Sequence, residues 1–206
     1  SYYRLNWRLS FYTFCPKHNC ILLNNCPCCS NPISFHRIAI GDKRKVPKNR
    51  DIGSCAFCEY KLYEADISKI DWRKHRYAKV YKEWLMKYEK DSSQDALFYP
   101  AETPLDFYVG IRVIASWLAN TRAKRAKKGI IDEISVHTPK RPLGTTWEIE
   151  RFDVNERFNL FMATFWLVFD WPVRFKSFIN KYQLGKSSFE DYKGKMPEWV
   201  NKVAPH

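Results

Sequence analysis

Seven cysteines lie between residues 15 and 58, and the rest of the 206-residue chain has none. An odd number of thiols crowded into one stretch argues against a closed disulfide framework and for metal ligation. Cys26–Pro27–Cys28–Cys29 and Cys55–Ala56–Phe57–Cys58 are two C-x-x-C knuckles. Each knuckle lets two thiolates converge on one side of a tight turn, and two knuckles that face each other complete a tetrahedral S4 site. The expected zinc ligands are therefore Cys26, Cys29, Cys55 and Cys58. Cys28, in the middle of a knuckle, points elsewhere and is a bystander. Cys15–Pro16–Lys17–His18 is a third knuckle, of the C-x-x-H type. It supplies two ligands where a stable structural site takes four. Cys20 is one source of a third, a C-x-x-C upstream of Ser1 is another, and ordinary packing is the alternative to both.

The remaining composition suits a packed, basic chain. Hydrophobic residues make up 45% and aromatic residues 17%, too many for a disordered segment. The longest apolar run, Leu160 to Phe169, is about half a membrane span. Thirty-five Lys and Arg against 22 acidic residues give a net charge of +13, which favours a polyanionic partner. Two basic clusters contain no acidic residue within their span: Lys43, Arg44, Lys45, Lys48 and Arg50, and Arg122, Lys124, Arg125, Lys127 and Lys128. Both are candidate phosphate contacts; the alternative is a solvated face.

The ordered run Tyr2–Tyr3–Arg4–Leu5–Asn6–Trp7–Arg8–Leu9–Ser10, Cys15–Pro16–Lys17–His18, Leu22–Leu23 and Cys26–Pro27–Cys28–Cys29 resembles the TniQ/TnsD family of transposon target-selection proteins. That family opens with a C-x-x-C, then a short Tyr/Trp-bearing strand, C-P-x-H, two leucines, C-P-x-C and a later C-x-x-C. All but the opening pair is present, and the pair would fall just before Ser1. With no initiating methionine, the chain reads as a fragment lacking its N-terminal part. The resemblance covers residues 1 to 60 strongly. It extends weakly over Asp153 to Val200, through Arg157–Phe158, Trp166–Leu167 and Trp171–Pro172–Val173–Arg174–Phe175. It implies two zinc ions: Cys15 and His18 would share one with the missing pair, and Cys26, Cys29, Cys55 and Cys58 would hold the other.

Hydrophobic periodicity places helices in the rest of the chain. The expected fold is mostly α with a small β zinc ribbon: a zinc-finger module at 1–66, then a helical domain at 67–206. Tyr2 to Trp7 and Phe11 to Phe14 alternate like short strands, and residues 36 to 53 read as a basic loop. Ser68–Lys69–Ile70–Asp71 resembles a helix start, followed by an aromatic stripe of Tyr77, Tyr81, Trp84 and Tyr88 that suits a core face. Thr103–Pro104 opens a second helix, with Tyr108, Ile111, Ala115 and Leu118 on its buried face, running to Gly129. Asp153 caps a third, with Phe158, Phe161, Met162, Phe165 and Phe169 inward. Val173 to Tyr182, the break at Gly185 and a short helix from Ser187 outline a candidate helix-turn-helix over 173–203.

No glycine-rich phosphate loop, nucleophile elbow or H-E-x-x-H motif is present. A closed S4 site leaves no position for a zinc-bound water. A non-enzymatic role is expected. By resemblance, this is a target-site adaptor in DNA transposition in the bacterial cytoplasm, associated with the nucleoid. It would recognise target DNA or a guide-RNA effector complex and recruit an AAA+ regulator, with self-association a further expectation. One alternative is an adaptor that grips a CRISPR effector protein without reading bases. Another is a zinc-containing nuclease or recombinase accessory domain.

Overall fold

A computed structural model describes residues 9–33, 53–66, 68–73, 75, 77–90, 100–120, 122–139, 149–192 and 194–205, with the backbone alone at 88–90. The expected strand over Tyr2 to Trp7, the loop at 36 to 52 and the Tyr88 side chain lie outside this set. The chain divides into two compact units, Ser1–Ile70 and Asp71–His206.

The first unit is built from tight turns. Its two short strands, β1 (Phe14–Cys15) and β2 (Cys20–Ile21), pair antiparallel. The segment expected to start a helix at Ser68 belongs here instead. The Ser68 carbonyl accepts from the Ile21 N–H at 3.0 Å, and the Ile70 N–H donates to the Asn19 carbonyl at 3.0 Å. Those bonds hold residues 68–70 extended against β2, and the next helix begins ten residues later than the cap-like sequence suggests.

The second unit contains the six α-helices of the described residues: α1 (Ala78–Lys90), α2 (Pro104–Ala119), α3 (Lys124–Ile134), α4 (Val154–Val168), α5 (Val173–Lys181) and α6 (Glu198–Asn201). Helix α4 is central, packing against α1, α2 and α5. It is apolar on every side and buried from Leu160 to Val168, as an enclosed helix must be. Its start is fixed locally by a capping box. Asp153 Oδ1 accepts from the Asn155 N–H at 2.8 Å, and Glu156 accepts from the Asp153 N–H at 3.0 Å. Two members of the aromatic stripe pack into the core from α1: Tyr81 stacks on Phe165 with centroids 4.7 Å apart, and Trp84 lies 4.8 Å from Phe165 and 5.5 Å from Phe107. The inward set on α4 holds for Phe158, Phe161, Met162 and Phe165. Phe169, expected with them, is 49% exposed because it follows the helix end.

Helix α2 opens as Thr103–Pro104 predicts, with the Thr103 hydroxyl accepting from the Asp106 N–H at 3.1 Å. It does not run to Gly129. Asn120 stops it by taking the Arg122 N–H onto its own side-chain oxygen at 2.9 Å, a local bond that competes with the helical ladder. Gly129 falls in the middle of α3, where it serves packing. A Cβ there would lie 2.8 Å from ring carbons of both Phe178 of α5 and Tyr182, which follows that helix.

The second helix expected from Ser187 is also different. After α5 the chain makes two one-turn 3-10 segments, Lys186–Ser188 and Glu190–Tyr192. Phe189, between the two segments, and Tyr192, which ends the second, are both buried. Phe189 stacks on Trp117 at 4.7 Å, and the Tyr192 hydroxyl donates to the Ser116 carbonyl at 2.9 Å. The next helix, α6, has four residues, and it buries Trp199 and Val200.

Candidate metal centre

Three turns of the first unit share one backbone plan. In each, a cysteine carbonyl accepts from the N–H four residues on: Asn19 to Cys15 at 2.8 Å, Ser30 to Cys26 at 2.8 Å, and Glu59 to Cys55 at 3.0 Å. The donors Asn19, Ser30 and Glu59 all take left-handed φ values, 55°, 58° and 61°. The residue before each cysteine pairs with the one six places after it: Phe14 with Ile21, Asn25 with Pro32, and Ser54 with Lys61. Each turn thus brings the side chains at its first and fourth positions to one side. None of the three left-handed residues is glycine, so the strain is carried by the hydrogen-bonded turn itself.

The second and third turns face each other. The four sulfurs of Cys26, Cys29, Cys55 and Cys58 lie within 4.8 Å of one another. Approaches between the turns include Cys26 to Cys58 at 3.6 Å and Cys29 to Cys55 at 3.7 Å. Those are far too long for a disulfide, whose sulfurs sit about 2.05 Å apart. They match a tetrahedron, in which Zn–S bonds of about 2.3 Å put neighbouring sulfurs about 3.8 Å apart. All seven cysteines are free thiols. Cys28 is exposed and stands outside the cluster, as its mid-knuckle position predicts. The four-cysteine group could hold a metal ion and is compatible with zinc.

The cluster's thiols differ in acidity. The Asn31 side-chain amide donates to the Cys29 sulfur at 3.4 Å, and with the Asn31 backbone it brings this thiol down to about 6. Cys58 is lowered by the Tyr60 backbone N–H, but burial and the other three thiols outweigh that and hold it up. Burial chiefly raises Cys55, with Cys26 and Cys29 adding to it against the N–H groups of Phe57 and Cys58. Without metal, Cys29 favours the thiolate, whereas Cys55 and Cys58 favour the thiol. A metal ion reverses that preference by taking all four as thiolates.

In the first turn, Cys15 Sγ and His18 Nδ1 are 3.2 Å apart, so the C-x-x-H pair converges as the C-x-x-C pairs do. Cys20 sits opposite Cys15 across the strand pair, and burial, then the charge of Cys15, raises its thiol. Among the described residues it does not join Cys15 and His18 in a three-ligand group.

The basic clusters fare unevenly. Lys43, Arg44, Lys45, Lys48 and Arg50 lie outside the described residues. Arg122, Lys124, Arg125 and Lys128 are exposed. They belong to the start of α3 rather than to the end of a longer helix, so they oppose the helix dipole instead of complementing it. Arg122 pairs with Asp191 at 3.0 Å, an acid 69 positions away that a linear scan for neighbours misses. Lys127 is buried; its ammonium donates to the carbonyls of Ala119 at 3.1 Å and Pro139 at 2.8 Å. That lysine is committed to the fold and is not available to a phosphate.

Comparison with family models, with curated proteins and with solved structures returns no match. No described helix is long and apolar enough to cross a membrane.

Proposed function

We propose that this chain is a zinc-stabilised target-selection adaptor of DNA transposition, with no catalytic role. It would act in the bacterial cytoplasm near the nucleoid. There it would recognise target DNA or a guide-RNA effector complex and recruit an AAA+ regulator. The observation that carries the reading is the repeated turn. Three knuckles of one plan occur in the order C-P-x-H, C-P-x-C, C-x-x-C, the order of the TniQ/TnsD pattern, and the C-x-x-H ligands converge to 3.2 Å. On this reading, Cys15 and His18 hold half of a second zinc site, and a version of the chain extended upstream carries about one more zinc per molecule. Equal metal content in both forms would remove the family assignment.

Binding to duplex DNA is the functional test. Lys124, Arg125 and Lys128 are exposed cations of α3 that form no ion pair among the described residues. Duplex titrations at two salt concentrations should show steep salt dependence, and neutralising all three should flatten the log–log slope by about one unit per lost contact. Binding that ignores both salt and substitution ends the direct DNA reading.

One observation favours the protein-only adaptor. Phe169 and Val173 are 49% and 62% exposed, and the Arg174 guanidinium lies 5.0 Å from the Phe169 ring centre and 5.3 Å from that of Trp166. Such an apolar and cationic surface suits a protein partner. Loss of effector binding in Phe169→Ser with unchanged DNA affinity would select this reading.

A further inference from the structure

Asp191 is the acid that the helical unit sets against its own basic surface. It belongs to the one-turn 3-10 segment Glu190–Tyr192, and its two carboxylate oxygens have different donors. Oδ1 accepts from the Arg122 guanidinium at 3.0 Å, and Oδ2 accepts from the Asn120 side-chain amide at 3.1 Å. Asn120 is 5% exposed and holds both members of the pair. Its amide also donates to the Tyr192 hydroxyl at 3.1 Å, and its side-chain oxygen accepts from the Arg122 N–H at 2.9 Å. One buried side chain therefore positions the Arg122 backbone and the Asp191 carboxylate together.

An exposed ion pair ordinarily gains little, because two mobile side chains must be ordered to make it. Here the acid is short and already fixed, so only the arginine side chain remains to be ordered. The other exposed cations of the cluster are placed differently. Lys124 and Lys128 form no ion pair among the described residues, and Arg125 meets a neutral group, the Gln183 carbonyl at 3.4 Å. Of these four cations, only Arg122 has its charge matched among the described residues.

We propose that Asp191 acts as a built-in competitor of nucleic-acid phosphate: it keeps Arg122 out of the phosphate contacts and so loosens the hold of this surface on duplex DNA. The inference rests on the reading of Lys124, Arg125 and Lys128 as phosphate contacts. Carboxylate and phosphate oxygens are the same kind of charged acceptor to a guanidinium. A phosphate that approaches Arg122 finds that group occupied and meets the Asp191 charge, a like-charge encounter that lowers affinity. The duplex gains contacts from the three unmatched cations and none from Arg122.

The test is binding of a mixed-sequence duplex by the full zinc-loaded chain at two salt concentrations. Asp191→Asn keeps an acceptor for the Asn120 amide and removes the charge. It should bind about three- to tenfold more tightly at low salt and steepen the log–log slope by about one unit, as one added phosphate contact does. Glu190→Gln removes the same charge from the adjacent exposed acid, which forms no ion pair among the described residues. It should gain less than about twofold, with the slope unchanged. Adding Arg122→Gln to Asp191→Asn should return affinity and slope to the wild-type values. Arg122→Gln alone should leave the slope where it is, a readout that stands even if Asp191→Asn fails to fold. Three results overturn the inference and leave the DNA reading in place: equal gains from Asp191→Asn and Glu190→Gln, a gain that survives the loss of Arg122, or a slope about one unit flatter in Arg122→Gln alone. Wild-type binding that ignores salt removes the DNA reading and this inference with it.

Discussion

Asn31 shows how much one side chain can decide at the metal centre. Its side-chain amide donates to Cys29, while its backbone carbonyl accepts from the Cys26 N–H at 2.8 Å, so the residue ties both cysteines of one turn. In the metal-free protein the Cys29 thiol, lowered from 9.0 to about 6, contributes stability that is present above the unfolded value and is lost as pH falls through about 6. Asn31→Ala should move the midpoint of Cys29 alkylation upward, measured as rate against pH in chelator-treated protein; an unmoved midpoint would refute the amide's role. At the same scale, Cys58→Ser should abolish tight zinc binding and unfold the first unit, whereas exposed Cys28→Ser should leave zinc content unchanged. Elemental analysis of the two purified variants separates them.

The helices meet through a few close approaches. Gly129 of α3 and Gly110 of α2 admit aromatic rings of Phe178 and Trp199 where any Cβ would clash. Gly129→Ala and Gly110→Ala should each cost about 1–3 kcal/mol by overpacking, read from denaturant midpoints, despite alanine's better helix propensity. A gain in stability at either position would contradict the packing. Helix α3 is further joined to α5 by Glu133, which accepts from Lys181 and from the Tyr182 hydroxyl at 3.1 Å. The Lys181 hydrogen bond holds the Glu133 carboxyl below its ordinary value. Its contribution is thus present above about pH 4.5 and is lost as pH falls through the folded value. Because the pair is partly exposed, Glu133→Gln should cost only about 0.5 kcal/mol at pH 7, with the difference vanishing in acid.

For the whole molecule, the cysteines and the helices fall in different units. Chelation should abolish the cysteine cluster's order while most of the helical circular dichroism persists, because no helix of the described residues contains a ligand. Full loss of helical signal on chelation would show that the second unit needs the first. The local rules were legible from sequence because they involve neighbours: the C-x-x-C turns, the Thr103 and Asp153 caps and the aromatic stripe each close within a few residues. Tertiary structure decided what depends on distant partners. It ended α2 at Asn120, whose amide also meets Asp191 and Tyr192 from 71 and 72 positions away. It drew Lys127 out of a surface-looking basic run into a pair of carbonyls, and it replaced a recognition-like helix with two 3-10 turns pinned by Phe189 and Tyr192. Those outcomes follow from burial and from hydrogen bonds between remote residues, and neither quantity is written in a linear window of the chain.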